Sequence, residues 1–184
     1  RSSGPRRIRE VIKASKTNGI DNESVTKHLG SMYQHVQIYN NFIPVFDKLF
    51  VSPLSDNGDA FYNYSIADTV VLNGRRYMHW IFSPRRKGEN VFEGDAWIHD
   101  STYAVQRIQL RIDGSSPVNY IQNLSIYQDY RYINDSIWFL SKDKFIADIY
   151  PVGKNNGGMK GRKTTTYRNV LVNSEEVTRN LSLN

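Results

Sequence analysis

The chain reads as α+β: a long-stranded antiparallel meander sheet curved into an open half-barrel, with N-terminal helices packed on it. Three observations predict this class. Apolar residues recur at helical spacing near the start, where Ile8, Val11 and Ile12 fall at i, i+3 and i+4. From about residue 60 onward, apolar and polar residues alternate in runs divided by short turn signals. Aromatic residues reach 12%, including 12 Tyr and 8 Phe, a skew that suits a pleated surface.

Taken in order, residues 1–35 are expected to be mainly helical. Asn18-Gly19 stops a first helix, and a second, starting at Asn22 or Ser24, carries Val25, Leu29 and Met32 on one side. Residues 36–59 read as irregular, since Pro44 breaks any helix and Ser55-Asp56-Asn57-Gly58-Asp59 is a loop. Residues 60–173 read as antiparallel sheet. Phe61 to Leu72 leads into Asn73-Gly74, a two-residue hairpin signal because a type I′ turn needs two positive φ angles. Tyr77 to Phe82 is the return strand, and Phe92 to Ile98 follows it. In the next strand Ala104, Ile108, Leu110 and Ile112 share one face, and Val105, Arg107, Gln109 and Arg111 the other. Val118, Tyr120, Leu124, Ile126, Tyr130 and Tyr132 share a face of a long strand that turns at Asn134-Asp135 into Ile137 to Tyr150. The last strand runs from about Gly161 to Val172, and residues 174–184 form a tail. No repeat or linker divides the chain, so 1–184 is expected to be one domain.

Composition narrows the classes. The 184 residues contain no Cys, which excludes thiol catalysis, disulfides and Cys-based metal sites. No apolar run approaches the roughly 20 residues of a membrane helix. A secretory signal is expected to be absent or removed, since no basic start leads into an apolar stretch. The net charge of +6 is local: it gathers in residues 1–20, at Arg85-Arg86-Lys87, and from Lys154 to Arg168, on an otherwise acidic body. Solvated loops, or a chain end near an anionic membrane or another subunit, explain this better than a nucleic-acid face. No nucleic-acid partner is expected.

Glu93, Asp95, Trp97 and His99 fall at i, i+2, i+4 and i+6, which puts them on one face of a strand. Two carboxylates near a His are the raw material of a metal site or an acid/base pair, with Glu93, Asp95 and His99 as the polar cluster. The wet face of an ordinary strand accounts for them better, because no second ligand group stands at a recognisable spacing. His28 and His35 are read as helix surface. The loop Gly153 to Gly161 is glycine-rich but lacks the phosphate-cradle spacing and a following helix. Tyr120, Tyr127, Tyr130, Tyr132 and Tyr150 with Arg131 are suited to stacking bases or sugars, though Tyr is also simply a good strand residue. No catalytic or metal residue is assigned, no cofactor is expected, and the chain is read as not an enzyme.

Four stretches carry a resemblance: Leu29 to Phe46 followed by Phe50-Val-Ser-Pro-Leu54, Phe82 to Lys87, Phe92 to Tyr103, and Gly161 to Tyr167. Together they resemble DUF5686, a family of bacterial envelope proteins of unknown function. The resemblance implies a layout of carboxypeptidase-regulatory-like domain, this middle domain and an outer-membrane β-barrel. It implies a Gram-negative envelope location, on the periplasmic side of the outer membrane. Its implied partners are the other domains of the same chain, envelope proteins or lipid. Gly94, Trp97, Asp100 and Tyr103 are also similar to strands of LolA-like lipoprotein-carrier half-barrels. Asp68-Thr69-Val70, Asp100-Ser101-Thr102 and Asp135-Ser136-Ile137 resemble envelope O-glycosylation motifs, with Thr69, Ser101 and Ser136 as acceptors at or near turns. The expected function is therefore a non-enzymatic periplasmic interaction or scaffold domain. The alternative is a carrier holding an acyl chain or peptide in a cleft between sheet and helices. A hydrolase using Glu93, Asp95 and His99 stands last.

Overall fold

The computed structural model describes residues 35–112, 121–133, 137–150, 158–170 and 172. Strands β1 (Phe42–Val45) and β2 (Lys48–Val51) form a hairpin inside the stretch read as irregular, and α1 (Gly58–Phe61) is a single helical turn. There follow β3 (Tyr62–Leu72), β4 (Arg75–Pro84), β5 (Glu93–His99), β6 (Val105–Ile112), β7 (Ile121–Ile133), β8 (Ile137–Ile149) and β9 (Met159–Thr166). These seven strands make one antiparallel sheet in sequence order, the meander that the alternation and turn signals predict. Asn73 and Gly74 take φ of 51° and 73° between β3 and β4, the two positive angles their turn requires.

The expected fold class is corrected. The described residues are nearly all β, with one four-residue helix, so they form an antiparallel sheet protein and not an α+β one. The helices expected before residue 35 lie outside the described residues. What packs on the buried face of the sheet is an extended segment, with Val36, Ile38, Ile43, Val45, Phe50 and Val51 all buried. They meet Phe92, Ile108, Leu110, Ile126, Phe145 and Ile149 from the sheet in one core. A β-hairpin seals this face as well as a helix would, because Ile43 and Val45 point inward while Phe42 and Pro44 point away. Tyr62 pins the arrangement: its hydroxyl donates to the Val51 carbonyl at 2.5 Å and accepts the Phe92 N–H at 3.0 Å.

Register shifts change which residues face the core. Between β5 and β6, Trp97 pairs with Arg107 but Ile98 pairs with Val105, so Gln106 is an extra residue. Val105 is thereby turned to the buried side, against the wet-face placement expected from simple alternation. Gln122 does the same for Ile121, and Ser141 marks a third shift, its hydroxyl donating to the Asp129 carbonyl at 2.9 Å. The last strand ends at Thr166, short of the expected Val172.

The far end of the β7–β8 hairpin overhangs the sheet. Strands β4 and β8 are four steps apart, about 19 Å in a flat sheet. Yet the Tyr77 and Trp138 rings lie 6.1 Å apart, so the sheet is bent there.

Candidate functional site

Strand β5 divides as the sequence predicts. Phe92, Gly94, Ala96 and Ile98 are buried, while Glu93, Asp95, Trp97 and His99 face outward. The outward set does not converge. Arg111 on β6 reaches Glu93 Oε1 at 3.6 Å and Asp95 Oδ1 at 3.8 Å. His99 turns elsewhere: its Nδ1 is 2.8 Å from Thr102 Oγ1, and its ring lies among Tyr77 and Trp138.

The histidine that meets the carboxylates is His79, which sequence reasoning missed. Its Nε2 is 3.4 Å from Asp95 Oδ2 and its Nδ1 3.3 Å from Asp68 Oδ1. The ring stacks on Trp97 at 4.2 Å and 8°. Pairing creates this group: β4–β5 register sets His79 opposite Trp97, and the extra residue Ala67 in β3 sets Asp68 opposite His79. Inter-strand register is invisible to a reading that scores each strand alone. The cluster offers two carboxylates to one imidazole, but among the described residues no three His, Asp or Glu are placed to hold a metal ion. It works as a clasp across β3, β4, β5 and β6.

The rest of the outer face is self-paired in the same way. Arg107 bonds Asp129 at 2.7 Å and overhangs Trp97, Gln109 donates to the Tyr127 hydroxyl at 3.0 Å, and Lys160 reaches Asp148 at 3.3 Å. Such exposed pairs contribute little stability each. Among the described residues the tyrosines of that set are dispersed and make no common platform. Tyr127 faces out under Lys144, while Tyr130 on the other face packs edge-on to Tyr39. Burial pushes the Tyr130 phenol well above its usual range, with Tyr39 and Asp143 adding to the shift. Tyr132 lies beneath Arg75 at 4.0 Å and beside Trp138. Tyr120 lies outside the described residues, as do His28 and residues 153–157 of the glycine-rich stretch.

A second missed group is buried. Gln128 on β7 and Asp143 on β8 are 1% and 3% exposed amid the apolar core. The Gln128 amide donates to the Val36 carbonyl at 2.9 Å and to Asp143 Oδ1 at 3.0 Å, and its carbonyl accepts the Tyr130 hydroxyl at 2.9 Å. Lys163 on β9 stands 3.7 Å from Asp143 Oδ2. This relay ties the cover segment to three strands. The signal was a glutamine in phase with Leu124 and Ile126.

Of the three motif residues, Thr69 is exposed but lies within β3 opposite Met78, not at a turn. Ser101 is exposed in the β5–β6 turn, where its hydroxyl donates to Asp100 Oδ1 at 2.7 Å. Ser136 lies outside the described residues.

The model of a family of unknown function, DUF5686, matches residues 1–170. No curated protein and no solved structure matches the chain. The carrier likeness and the wider domain layout drawn from the sequence therefore gain no support.

Proposed function

The chain belongs to the DUF5686 family, and from that premise we propose that it is a non-enzymatic interaction and scaffold domain on the periplasmic side of an outer membrane. The observation that carries this reading is the filled interior. The buried face of the sheet is occupied by the chain's own Ile38, Ile43, Val45 and Phe50. On the outer face Glu93, Asp95, Asp129 and Asp148 are paired with Arg111, Arg107 and Lys160. Among the described residues, edge strand β3 leaves Ile66 58% and Val71 65% exposed, which suits pairing with an adjoining domain or envelope protein. The carrier alternative needs an apolar cleft between residues 36–51 and the sheet, where Ile43, Val45 and Phe50 pack in one core with Ile108, Leu110 and Ile126.

Native mass spectrometry on the protein purified from its natural envelope tests the reading. The expected spectrum shows no lipid or peptide adduct. A mass excess that vanishes on delipidation overturns the scaffold reading in favour of a carrier. An excess that survives denaturation and maps to Thr69, Ser101 or Ser136 assigns O-glycosylation there, which we propose as a secondary feature of these motifs.

A further inference from the structure

A groove of about 370 Å³ opens between the loop after β2 and the β3–β5 part of the sheet, away from the His79 cluster. Leu54, Asp56, Asp59, Tyr64, Trp80 and Tyr103 line it, and its lining includes no basic side chain. Three aromatic rings thus share a cavity with two carboxylates. Tyr64 and Trp80 stand edge to face, with centroids 6.1 Å apart at 65°.

The groove is held in shape by specific contacts. The Tyr64 hydroxyl donates to the Pro53 carbonyl at 2.8 Å. Gly58 makes room for that hydroxyl, since a Cβ there would overlap it. Asn41 orients Asp56 through two hydrogen bonds, at 3.0 and 3.1 Å. Burial pushes the Tyr64 phenol up to about 12, and the Asp59 charge adds to the shift. The negative field of Asp59 therefore reaches the aromatic wall.

Aromatic faces carry negative electrostatic potential, and carboxylates at their rim reinforce it. An apolar groove alone would accept any greasy group, but this combination selects a positive charge on a compact organic body. We propose that the groove is a binding site for a small organic ammonium ion, seated on Tyr64, Trp80 and Tyr103 with Asp59 and Asp56 as counter-charges. The volume lies at the small end of ligand pockets, which matches a ligand of choline size. The site is independent of the scaffold reading: either can fail alone.

The test is an NMR titration of the protein with choline and with 3,3-dimethyl-1-butanol, its neutral isostere. Choline is expected to give saturable shifts of the Trp80 indole resonance, and the isostere much weaker ones. Asp59→Asn and Tyr103→Ala should each weaken choline binding by about three- to thirtyfold. Tyr103 is 71% exposed, so its truncation leaves the fold intact. Trp97→Ala, on the opposite face, should change nothing. Equal affinity for choline and its isostere overturns the proposal. So does the absence of saturation, or binding that is unaffected by both groove variants.

Discussion

Replacing Gln128 with leucine asks whether a polar relay, beyond apolar packing, locks residues 36–51 onto the sheet. Leucine has a similar volume and makes none of the three hydrogen bonds of the glutamine. The Val36 carbonyl and the Tyr130 hydroxyl then lose these partners, each at roughly 1–3 kcal/mol for a buried unsatisfied group. Asp143 keeps Lys163 beside it, which limits its share. The added apolar surface of leucine returns about 1 kcal/mol. The net loss is about 3 kcal/mol, which in a chain of this length lowers Tm by about 6–12 °C. Urea unfolding with a constant slope measures it directly. A double-mutant cycle with Tyr130→Phe then isolates the relay. Removing the stranded hydroxyl should make the double variant less destabilised than the sum of its parts, by at least about 0.5 kcal/mol. A Gln128→Leu protein within about 0.5 kcal/mol of the parent, or strict additivity in the cycle, refutes the reasoning.

Tyr62→Phe should cost about 2 kcal/mol by urea unfolding, since it strips partners from the Val51 carbonyl and the Phe92 N–H together. Gly94→Ala should be worse, by more than about 3 kcal/mol or to the point of no soluble protein, because the new methyl overlaps the Gln109 carbonyl across the β5–β6 pair. A soluble Gly94→Ala protein of parental Tm would contradict that close approach. Alkaline titration should show a fold limit. Burial raises the phenols of Tyr39, Tyr62, Tyr64, Tyr77 and Tyr130 above the ordinary 10.0. The folded state therefore keeps protons that the unfolded chain releases, so stability is intact below pH 10.0 and falls as pH rises past it. The share of tyrosinate absorbance owed to these five phenols should rise in step with loss of near-UV circular dichroism. Ionisation of every tyrosine in a still-folded protein would disprove the burial.

Much of the sheet was legible because its causes are local. Alternation marks β5, β6 and β7, and Asn73-Gly74 supplies the two positive φ angles that join β3 to β4. The division of β5 into buried Phe92, Ala96 and Ile98 and outward Glu93, Asp95 and Trp97 follows from the two-residue period alone. The family too was readable, from motifs spread along the chain.

Tertiary structure decided what depends on partners distant in sequence. Whether Asp95 meets His99 or His79 is a matter of register, and a one-residue shift at Ala67 or Gln106 reassigns faces that no single strand can report. The covering of the core was likewise open: apolar residues at Val36, Ile38, Ile43, Val45 and Phe50 say that something buries them, not that it is an extended hairpin. Gln128 shows the same limit, since a buried amide is tolerated only where Val36, Tyr130 and Asp143 converge on it. Short-range sterics and patterning are written in the order of residues. Register, bulges and the satisfaction of buried polar groups are settled only when the strands come together, because each depends on atoms supplied from elsewhere in the chain.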